Sequence, residues 1–229
     1  MPRPSRNLDR ALIAAGRELF PVRGCAGLSV REVADAAGVN LGMFHYHFKS
    51  REAFLRAMMQ ASYEEMFQIL TLEMSRPGDT VEHLEHALRA IARFVRDNRR
   101  FLSRLLSDAL TGEACAREFM RDNLPRHLNV LRGLIAKGQQ EGVFVAVPLT
   151  QAMGLCAGSL AMPILAGGAL MDSGQLEPAT ARMIETTLLT DAALHQRIGL
   201  ALRALVQEQP KAVASARAKP KMKKKRSGK

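Results

Sequence analysis

The sequence predicts an all-α protein of two helical domains followed by a basic tail. Apolar residues recur at helical spacing along almost the whole chain, for example at Phe54, Met58 and Tyr63. The only β-like run is "VFVAV" at 143–147, and it is short. Apolar residues make up 47% of the 229 residues, so the chain can bury a sizeable core.

Helix boundaries follow from where this periodicity starts and stops. Pro21 begins the exit from the first helix, and "SRPGD" at 75–79 breaks the long fourth helix. Pro125 is placed in the first turn of its helix, where its missing N–H does no harm. A glycine-rich break is expected near 167–174. The predicted helices span 8–20, 29–37, 41–48, 50–74, 80–98, 100–110, 125–141, an uncharged stretch after 148, and 191–207.

The formal charge of +11 is concentrated at the two ends of the chain. Residues 211–229 hold nine lysines and arginines and no acid, which leaves 24 basic and 22 acidic residues in residues 1–210. Within residues 1–51, eight basic residues stand against four acidic ones. Basic ends favour a polyanionic partner, because neutralised phosphates release their counterions. Charge alone leaves nucleic acid and an anionic membrane surface both open.

The three cysteines, Cys25, Cys115 and Cys156, are odd in number and far apart in the sequence. Their spacing predicts neither a disulfide framework nor a Cys-x-x-Cys metal site, and this pattern suits a reducing cytoplasm. The N-terminal "MPRPSRNLDR" does not lead into the apolar stretch of a signal peptide.

An uncharged stretch from Gly142 to Met171 is long enough to span a bilayer. It contains Pro148 and Pro163, and it lacks flanking basic clusters and interfacial tryptophan or tyrosine. We therefore expect a buried helix of a protein that does not enter the membrane. Its small residues, such as Gly154, would let another helix approach closely.

Residues 29–48 carry the local signals of two short helices joined by a tight turn. Ser29 and Glu32 have the spacing of a capping box. Gly38 stands where the first helix must stop in a left-handed conformation, and Asn40 suits the N-cap of the next helix. Ser50 is expected to cap the long helix that follows.

The second short helix, "LGMFHYHF", separates into two faces. Leu41, Phe44 and Phe48 fall on one side and should anchor the helix to the core. The other side carries no carboxylate. A phosphate-lined groove requires such a face, because the phosphates would repel an acidic side chain. This arrangement predicts a DNA-binding helix-turn-helix. The outward residues are Gly42, Met43, Tyr46 and His47, with His45 at the flank and Lys49 and Arg51 just after.

The segment "ALIAAGRELFPVRGCAGLSVREVADAAGVNLGMFHYHFKSREAFL" resembles the N-terminal domain of the TetR family of transcriptional regulators over about residues 8–55. The resemblance implies about nine helices, a homodimer formed mainly by the last two, and an effector cavity in the C-terminal domain. The positions that match the family's motif are Ala15, Phe20, Gly24, Ser29, Val33, Ala34, Ala37, Gly38, Val39, Gly42, His47, Phe48, Ser50 and Arg51.

The resemblance also implies which residues contact DNA. Three positions differ from the residue that is usual in the family. His45 stands where tyrosine is usual, Met43 stands where a small hydroxyl residue is common, and Arg51 stands where lysine is usual. His45 suggests the hypothesis of tighter DNA binding as the pH falls towards about 6. The implied contacts come from Ser29, Arg31, Asn40, Leu41, Gly42, Met43, His45, Tyr46, His47, Lys49 and Arg51.

Other candidate sites are weaker. His83 and His86 share a helix face, but two imidazoles do not complete a metal site, and a solvated face is favoured. Cys156 is read as a packed small hydrophobe. One group of methionines and aromatic residues has two interpretations: it lines a pocket for an apolar effector, or it belongs to the ordinary core. That group comprises Met59, Tyr63, Met66, Phe67, Phe94, Phe119 and Met153, with Met58 and Met162.

The predicted organisation is a DNA-binding domain at 1–55 with its motif at 29–48, an effector-binding and dimerisation domain at 56–209, and a disordered basic tail at 210–229. We expect a cytoplasmic, nucleoid-associated bacterial repressor that a small molecule releases from a palindromic operator. We expect no cofactor, no metal and no enzymatic activity, because phosphate-loop, nucleophile and metal motifs are missing. The alternatives are a nonspecific nucleoid-type protein and a membrane-associated adaptor. For the tail, the readings are a nonspecific grip on DNA, contact with another polyanion, or a solvated appendage, and electrostatic help to DNA binding is favoured.

Overall fold

The computed structural model describes residues 5–207, with side chains from residue 8 onward. The predicted all-α class is confirmed, although the described residues form eleven α-helices rather than about nine. The predicted basic tail lies outside the described residues. The helices are α1 Ser5–Gly27, α2 Val30–Ala36, α3 Leu41–Phe48, α4 Arg51–Met74, α5 Thr80–Asp97, α6 Arg99–Thr111, α7 Ala114–Gln140, α8 Leu149–Ser159, α9 Ala161–Asp172, α10 Pro178–Ile184 and α11 Asp191–Leu205, with a π-helical segment Glu185–Leu189 before α11.

Several predicted boundaries are wrong because proline and glycine act differently in context. Helix α1 continues past Pro21 and is interrupted at Gly24, whose φ of 64° is left-handed. Pro125 lies well inside α7 and not in its first turn. Helix α9 runs through the predicted glycine-rich break to Asp172. Helix α10 was not predicted at all.

The predicted β-like run forms a single antiparallel bridge between Phe144 and Val206 within the described residues. Phe144 is buried beside Gly138, where an added Cβ would lie 2.0 Å from the phenyl ring. The run therefore ties the end of α7 to the end of α11 without building a sheet.

Helix α4 crosses two hydrophobic clusters and so joins the two halves of the chain. Its first half, through Met59, packs with α1, α2 and α3, and its second half, from Tyr63 onward, packs with α5, α7, α8 and α11. The first cluster also includes Phe101 and Leu105 of α6 and Ala116 of α7. The N-terminal helices therefore share their core with α6 and α7, and a boundary at residue 55 stays a prediction.

The uncharged stretch corrects one expectation. Leu149–Asp172 has the length and the mean hydropathy, 1.6, of a membrane-spanning helix, but only 28% of its most apolar window is buried. The expected buried helix is therefore wrong for a single chain. The stretch also bends at Leu160, between α8 and α9, and Pro163 follows within the first turn of α9. Leu155, Met162 and Leu170 are exposed along it.

Candidate functional site

The turn between α2 and α3 is built as its residues predict. Gly38 has a φ of 65°, and the Asn40 side chain accepts a hydrogen bond from the Met43 amide at 2.9 Å. Ser50 caps α4 by accepting from the Ala53 amide at 3.1 Å. Backbone signals over a few residues therefore fix how the second short helix begins and how the chain leaves it.

The predicted capping box at the start of α2 is wrong. The Ser29 side chain makes no capping hydrogen bond. Glu32 instead accepts from the Arg23 guanidinium, with Arg23 Nε at 2.9 Å from Glu32 Oε1. This contact ties α2 to the end of α1, and Ser29 is exposed beside it.

One face of α3 is anchored by aromatic packing. Phe44 is fully buried, and its ring centroid lies 5.1 Å from that of Phe54 on α4. Phe48 packs on the same Phe54 ring at 5.0 Å. Together these rings hold the helix rigidly through its inward side, as predicted for Phe44 and Phe48, while Leu41 is half-buried.

The opposite face of α3 points away from the protein. Tyr46 is 72% exposed, Gly42 and His45 are exposed, and Met43 and His47 are half-buried. The ring of His47 lies against the Tyr46 and Phe48 rings, and its Nε2 is buried without a hydrogen-bond partner in the described part of the chain. The first turn of α3 carries no acid. The remaining predicted contact residues Ser29, Arg31, Asn40 and Lys49 are exposed on either side of this face.

Lys49 ends α3 in a costly backbone conformation. Its φ of 56° makes it the only described residue other than glycine with a positive φ. A side chain in this region costs about 1–2 kcal/mol. Such strain is typical of functional sites. Lys49 is exposed and directly follows α3 in the chain.

The Arg51 guanidinium donates hydrogen bonds within the protein. Its Nε donates to the Leu28 carbonyl at 2.9 Å, and its Nη2 donates to the Cys25 carbonyl. These bonds satisfy carbonyls at the end of α1 and join it to the start of α4. Arg51 therefore orients the two helices that flank the DNA-binding motif.

A buried carboxylate joins α1 to α6. Asp108 is 3% exposed, and its Oδ2 accepts from the Cys25 amide at 2.6 Å while its Oδ1 accepts from Arg104 Nε at 2.8 Å. Gly24 favours this contact because its φ of 64° is a conformation that side chains rarely adopt, and the Arg104 guanidinium occupies the space where a Cβ would lie. The junction therefore couples the end of α1 rigidly to α6.

A cavity of about 210 Å³ lies among α4, α5, α6, α7 and α9. Four of the predicted effector residues, Tyr63, Met66, Phe94 and Phe119, line it. Met59 packs in the N-terminal cluster, Phe67 lies under Arg126 at 4.2 Å, and Met153 borders neighbouring grooves. The lining residues that sequence reasoning missed are Ile91, Val95, Leu102, Leu105, Leu106, Met120, Asn123, Leu124, His127, Ala161 and Leu165.

His127 is the principal polar group of this cavity, and its tautomer follows from its hydrogen bonds. The Tyr63 hydroxyl donates its one proton to the Asn123 carbonyl oxygen at 2.6 Å. His127 Nδ1, 3.1 Å from the same hydroxyl, must therefore donate to it, which leaves Nε2 as an acceptor. Burial lowers the pKa of His127 from 6.5 to about 4, so the ring is neutral near pH 7.

No group of three or more metal-ligating side chains occurs within residues 8–207. The His83 ring lies 2.9 Å from the Arg76 carbonyl oxygen, which is a structural contact at the start of α5. Cys156 is buried in α8, and burial raises its pKa to about 11.

Residues 12–58 match the sequence profile of the bacterial regulatory proteins of the tetR family. They form a tetR-family DNA-binding domain. The matched region contains the helix-turn-helix, the Gly38 turn and the aromatic anchor of α3, so the profile and the geometry point to the same surface.

The similarity to known proteins extends beyond residues 12–58. The transcriptional repressor NemR of Escherichia coli (strain K12) is 28% identical over 158 residues, which cover 64% of this chain and 77% of NemR. A protein of Saccharomonospora viridis, described as a transcriptional regulator and solved with choline, has a TM-score of 0.67 at 17% identity, covering 88% and 98% of the two chains. The regulator FadR of Bacillus subtilis, solved with stearoyl-CoA, has a TM-score of 0.62 at 15% identity over 85% and 98%. Residues 12–58 thus form a tetR-family DNA-binding domain, the relative named here is a transcriptional repressor, and the two solved neighbours share the fold over most of the chain.

Proposed function

We propose that the protein is a cytoplasmic, nucleoid-associated repressor that binds a palindromic operator as a homodimer and leaves it when a small molecule fills the cavity. The observation that carries the DNA-binding part is the exposed, acid-free face of α3, held from behind by Phe44 and Phe48. A rigid helix with such a face can enter a major groove without repelling phosphates.

Within this surface the residues divide by position. Gly42, Met43 and Tyr46 face outward from α3 and are proposed to meet base edges, with Leu41 at the start of the helix. Ser29, Arg31, Asn40, His45 and Lys49 flank them and are proposed to contact phosphates. His47 and Arg51 are largely committed to intramolecular contacts and are proposed to support the interface from its edge.

The dimer surface is proposed to include α8 and α9 as well as α10 and α11. Exposed apolar side chains occur on all four helices, including Leu170, Met183 and Leu200. An added Cβ at Gly154 or Gly158 would meet no atom within 4 Å, so a partner helix can approach there. A second copy would cover the apolar stretch that a single chain leaves exposed.

The effector is proposed to be a neutral, mainly apolar molecule with a hydroxyl group. No acidic or basic side chain other than neutral His127 lines the cavity, so a charged ligand would lack a counter-ion. Because His127 Nε2 accepts, the matching ligand group is a hydrogen-bond donor. This differs from the choline and stearoyl-CoA named for the two structural neighbours.

Helix α6 is the proposed route from the cavity to the DNA-binding domain. Leu102, Leu105 and Leu106 line the cavity, while Arg104 and Asp108 on the same helix hold the end of α1. A ligand that displaces α6 therefore displaces α1 and the helices packed on it. Release requires that the ligand bind the displaced state more tightly than the DNA-bound state.

The decisive experiment sequences DNA fragments selected from random duplexes by the purified protein, with residues 210–229 removed and no ligand added. We expect enrichment of one palindromic sequence, and loss of that enrichment in Tyr46→Ala. Leu110→Ala is the matched control, because Leu110 is 75% exposed on α6, away from α3.

Three results would contradict the proposal. No enrichment by the unsubstituted chain would refute sequence-specific binding. Uniform coverage of DNA in salt-titrated footprinting would favour the nucleoid-type alternative. Recovery of the protein with the membrane fraction would favour the adaptor alternative and assign Leu149–Asp172 to a bilayer.

A further inference from the structure

A surface groove along α7 adjoins the cavity proposed for the effector. The groove has a volume of about 410 Å³ and is lined by residues of α7 and by Met153 of α8. Met120 and Leu124 line both the groove and the cavity. A smaller void of about 80 Å³ shares Leu128 and Met153 with the groove and His127 with the cavity. The side chains of Met120 and Leu124 therefore form a common wall between the cavity and the groove.

This wall can open at small cost. Leu124 is 39% exposed, so its side chain is only partly held by packing. Met120 is half-buried, and an unbranched methionine side chain adapts readily to its surroundings. Pro125, the next residue, lies inside α7 and has no N–H to donate to the Arg121 carbonyl one turn earlier. Two side chains can therefore rotate aside at a turn that lacks one backbone hydrogen bond, without unfolding of α7.

The cavity is too small for a long ligand, whereas the cavity and the groove together are not. A cavity of about 150 Å³ holds one benzene molecule, so a cavity of about 210 Å³ accommodates about eight carbon-sized atoms. The groove offers further apolar surface to a ligand that is longer than this. Its apolar lining residues are Met120, Leu124, Pro125, Leu128 and Met153.

The charged residues of the groove do not require a charged ligand. Arg121 Nε donates to the Asp122 carboxylate at 2.8 Å, so its charge is already balanced. Arg132 is exposed to water. An apolar chain can therefore lie along the groove while the guanidinium groups stay solvated.

We propose that the effector is a long, unbranched aliphatic molecule with a terminal hydroxyl group, which extends from the cavity between Met120 and Leu124 into the groove. This inference rests on the proposed effector site and specifies the shape of its ligand. The hydroxyl group donates to His127 Nε2, and the first carbon atoms of the chain fill the cavity. The remaining carbon atoms bury apolar surface in the groove, so the length of the chain determines the affinity.

The test measures binding of the primary alcohols hexanol, octanol, decanol and dodecanol to the full-length protein by isothermal titration calorimetry. We expect the affinity to rise about fourfold for each added methylene group through the whole series, because the groove receives what the cavity cannot hold. The corresponding methyl ethers lack the hydroxyl proton and should bind about tenfold more weakly, because they leave the buried His127 acceptor without a donor.

Leu124→Trp fills the common wall and separates the two spaces. This variant should keep the affinity for hexanol within about twofold and should bind dodecanol no more tightly than octanol. Leu72→Trp is the matched control, because Leu72 is 68% exposed on α4 and lines neither the cavity nor the groove. It should keep the rise through dodecanol. The series on the unsubstituted protein decides the question by itself if Leu124→Trp does not fold.

The outcomes separate this inference from the proposed function. An affinity that stops rising at octanol in the unsubstituted protein would overturn the extended site and leave the cavity as the effector site. An unchanged rise in Leu124→Trp would overturn the route between Met120 and Leu124. A change of oligomeric state in Leu124→Trp, measured by sedimentation, would assign the groove to a contact between two copies and overturn the inference. Failure of every alcohol to bind would count against the proposed effector cavity as well.

Discussion

His127 should make the folding stability of this protein fall steeply in mild acid. Its pKa is lowered from 6.5 to about 4 in the folded chain because burial penalises the charged ring. Between these two pH values the unfolded chain binds a proton that the folded chain refuses, so the free energy of unfolding decreases as the pH falls. At 1.36 kcal/mol for each pKa unit, the loss is about 3 kcal/mol in total.

The measurement is urea unfolding followed by circular dichroism at several pH values from about 7.5 down to about 4, with His127→Gln in parallel. The variant cannot titrate in this range, so the difference between the two stability curves isolates His127 from the carboxylates that titrate in both. His83→Gln, at a contact with the Arg76 carbonyl, is the matched control and should keep the full slope. Parallel curves for the unsubstituted protein and His127→Gln would refute the desolvation of His127, and with it the neutral acceptor proposed for the effector.

Three further substitutions test other parts of the structure. Lys49→Gly relieves the positive φ and should stabilise the fold by about 1 kcal/mol. The slope of the logarithm of DNA affinity against the logarithm of salt concentration should become shallower by about one. An unchanged slope would show that Lys49 does not contact a phosphate. Asp108→Asn should lower the free energy of unfolding in urea by about 2 kcal/mol, because it weakens the buried junction of α1 and α6. The control Asp122→Asn, at an exposed position, should lower it by less than about 0.5 kcal/mol. Leu170→Glu should convert the proposed dimer to monomer in sedimentation analysis. Leu72→Glu, at a still more exposed position on α4 (68% against 53%), should not. The reverse pattern would place the interface elsewhere.

Local signals predicted the DNA-binding motif well because the interactions that fix it lie within a few residues. Gly38, Asn40 and Ser50 act on neighbouring backbone groups, and the structure confirms all three. The two faces of α3 follow from helical periodicity in the same way. Such signals can be read without knowing the fold.

The predictions that failed depend on partners distant in the sequence. Glu32 has the spacing of a capping residue, but Arg23 is available across the helix junction and binds its carboxylate. The apolar residues of α8 and α9 include exposed side chains such as Leu155, Met162 and Leu170. Helical periodicity does not tell a face that packs within one chain from a face left open for the proposed partner.

His127 was missed for a related reason. A lone histidine inside the charged stretch "RDNLPRHLN" gives no sequence signal of burial. Its environment is set by Tyr63 from α4 and by the Asn123 carbonyl one turn before it. Only the packing of α4 against α7 buries this histidine and makes its ring a hydrogen-bond acceptor in the cavity.

The division of α3 into an anchored side and a free side has a consequence for how this regulator can change its target. Phe44 and Phe48 hold the helix through Phe54, and the side chains of Met43 and Tyr46 make no hydrogen bond within residues 8–207. Substitutions at positions 43 and 46 should therefore change the free energy of unfolding only a little. Operator preference can drift, or be redesigned, while the scaffold that presents it stays the same.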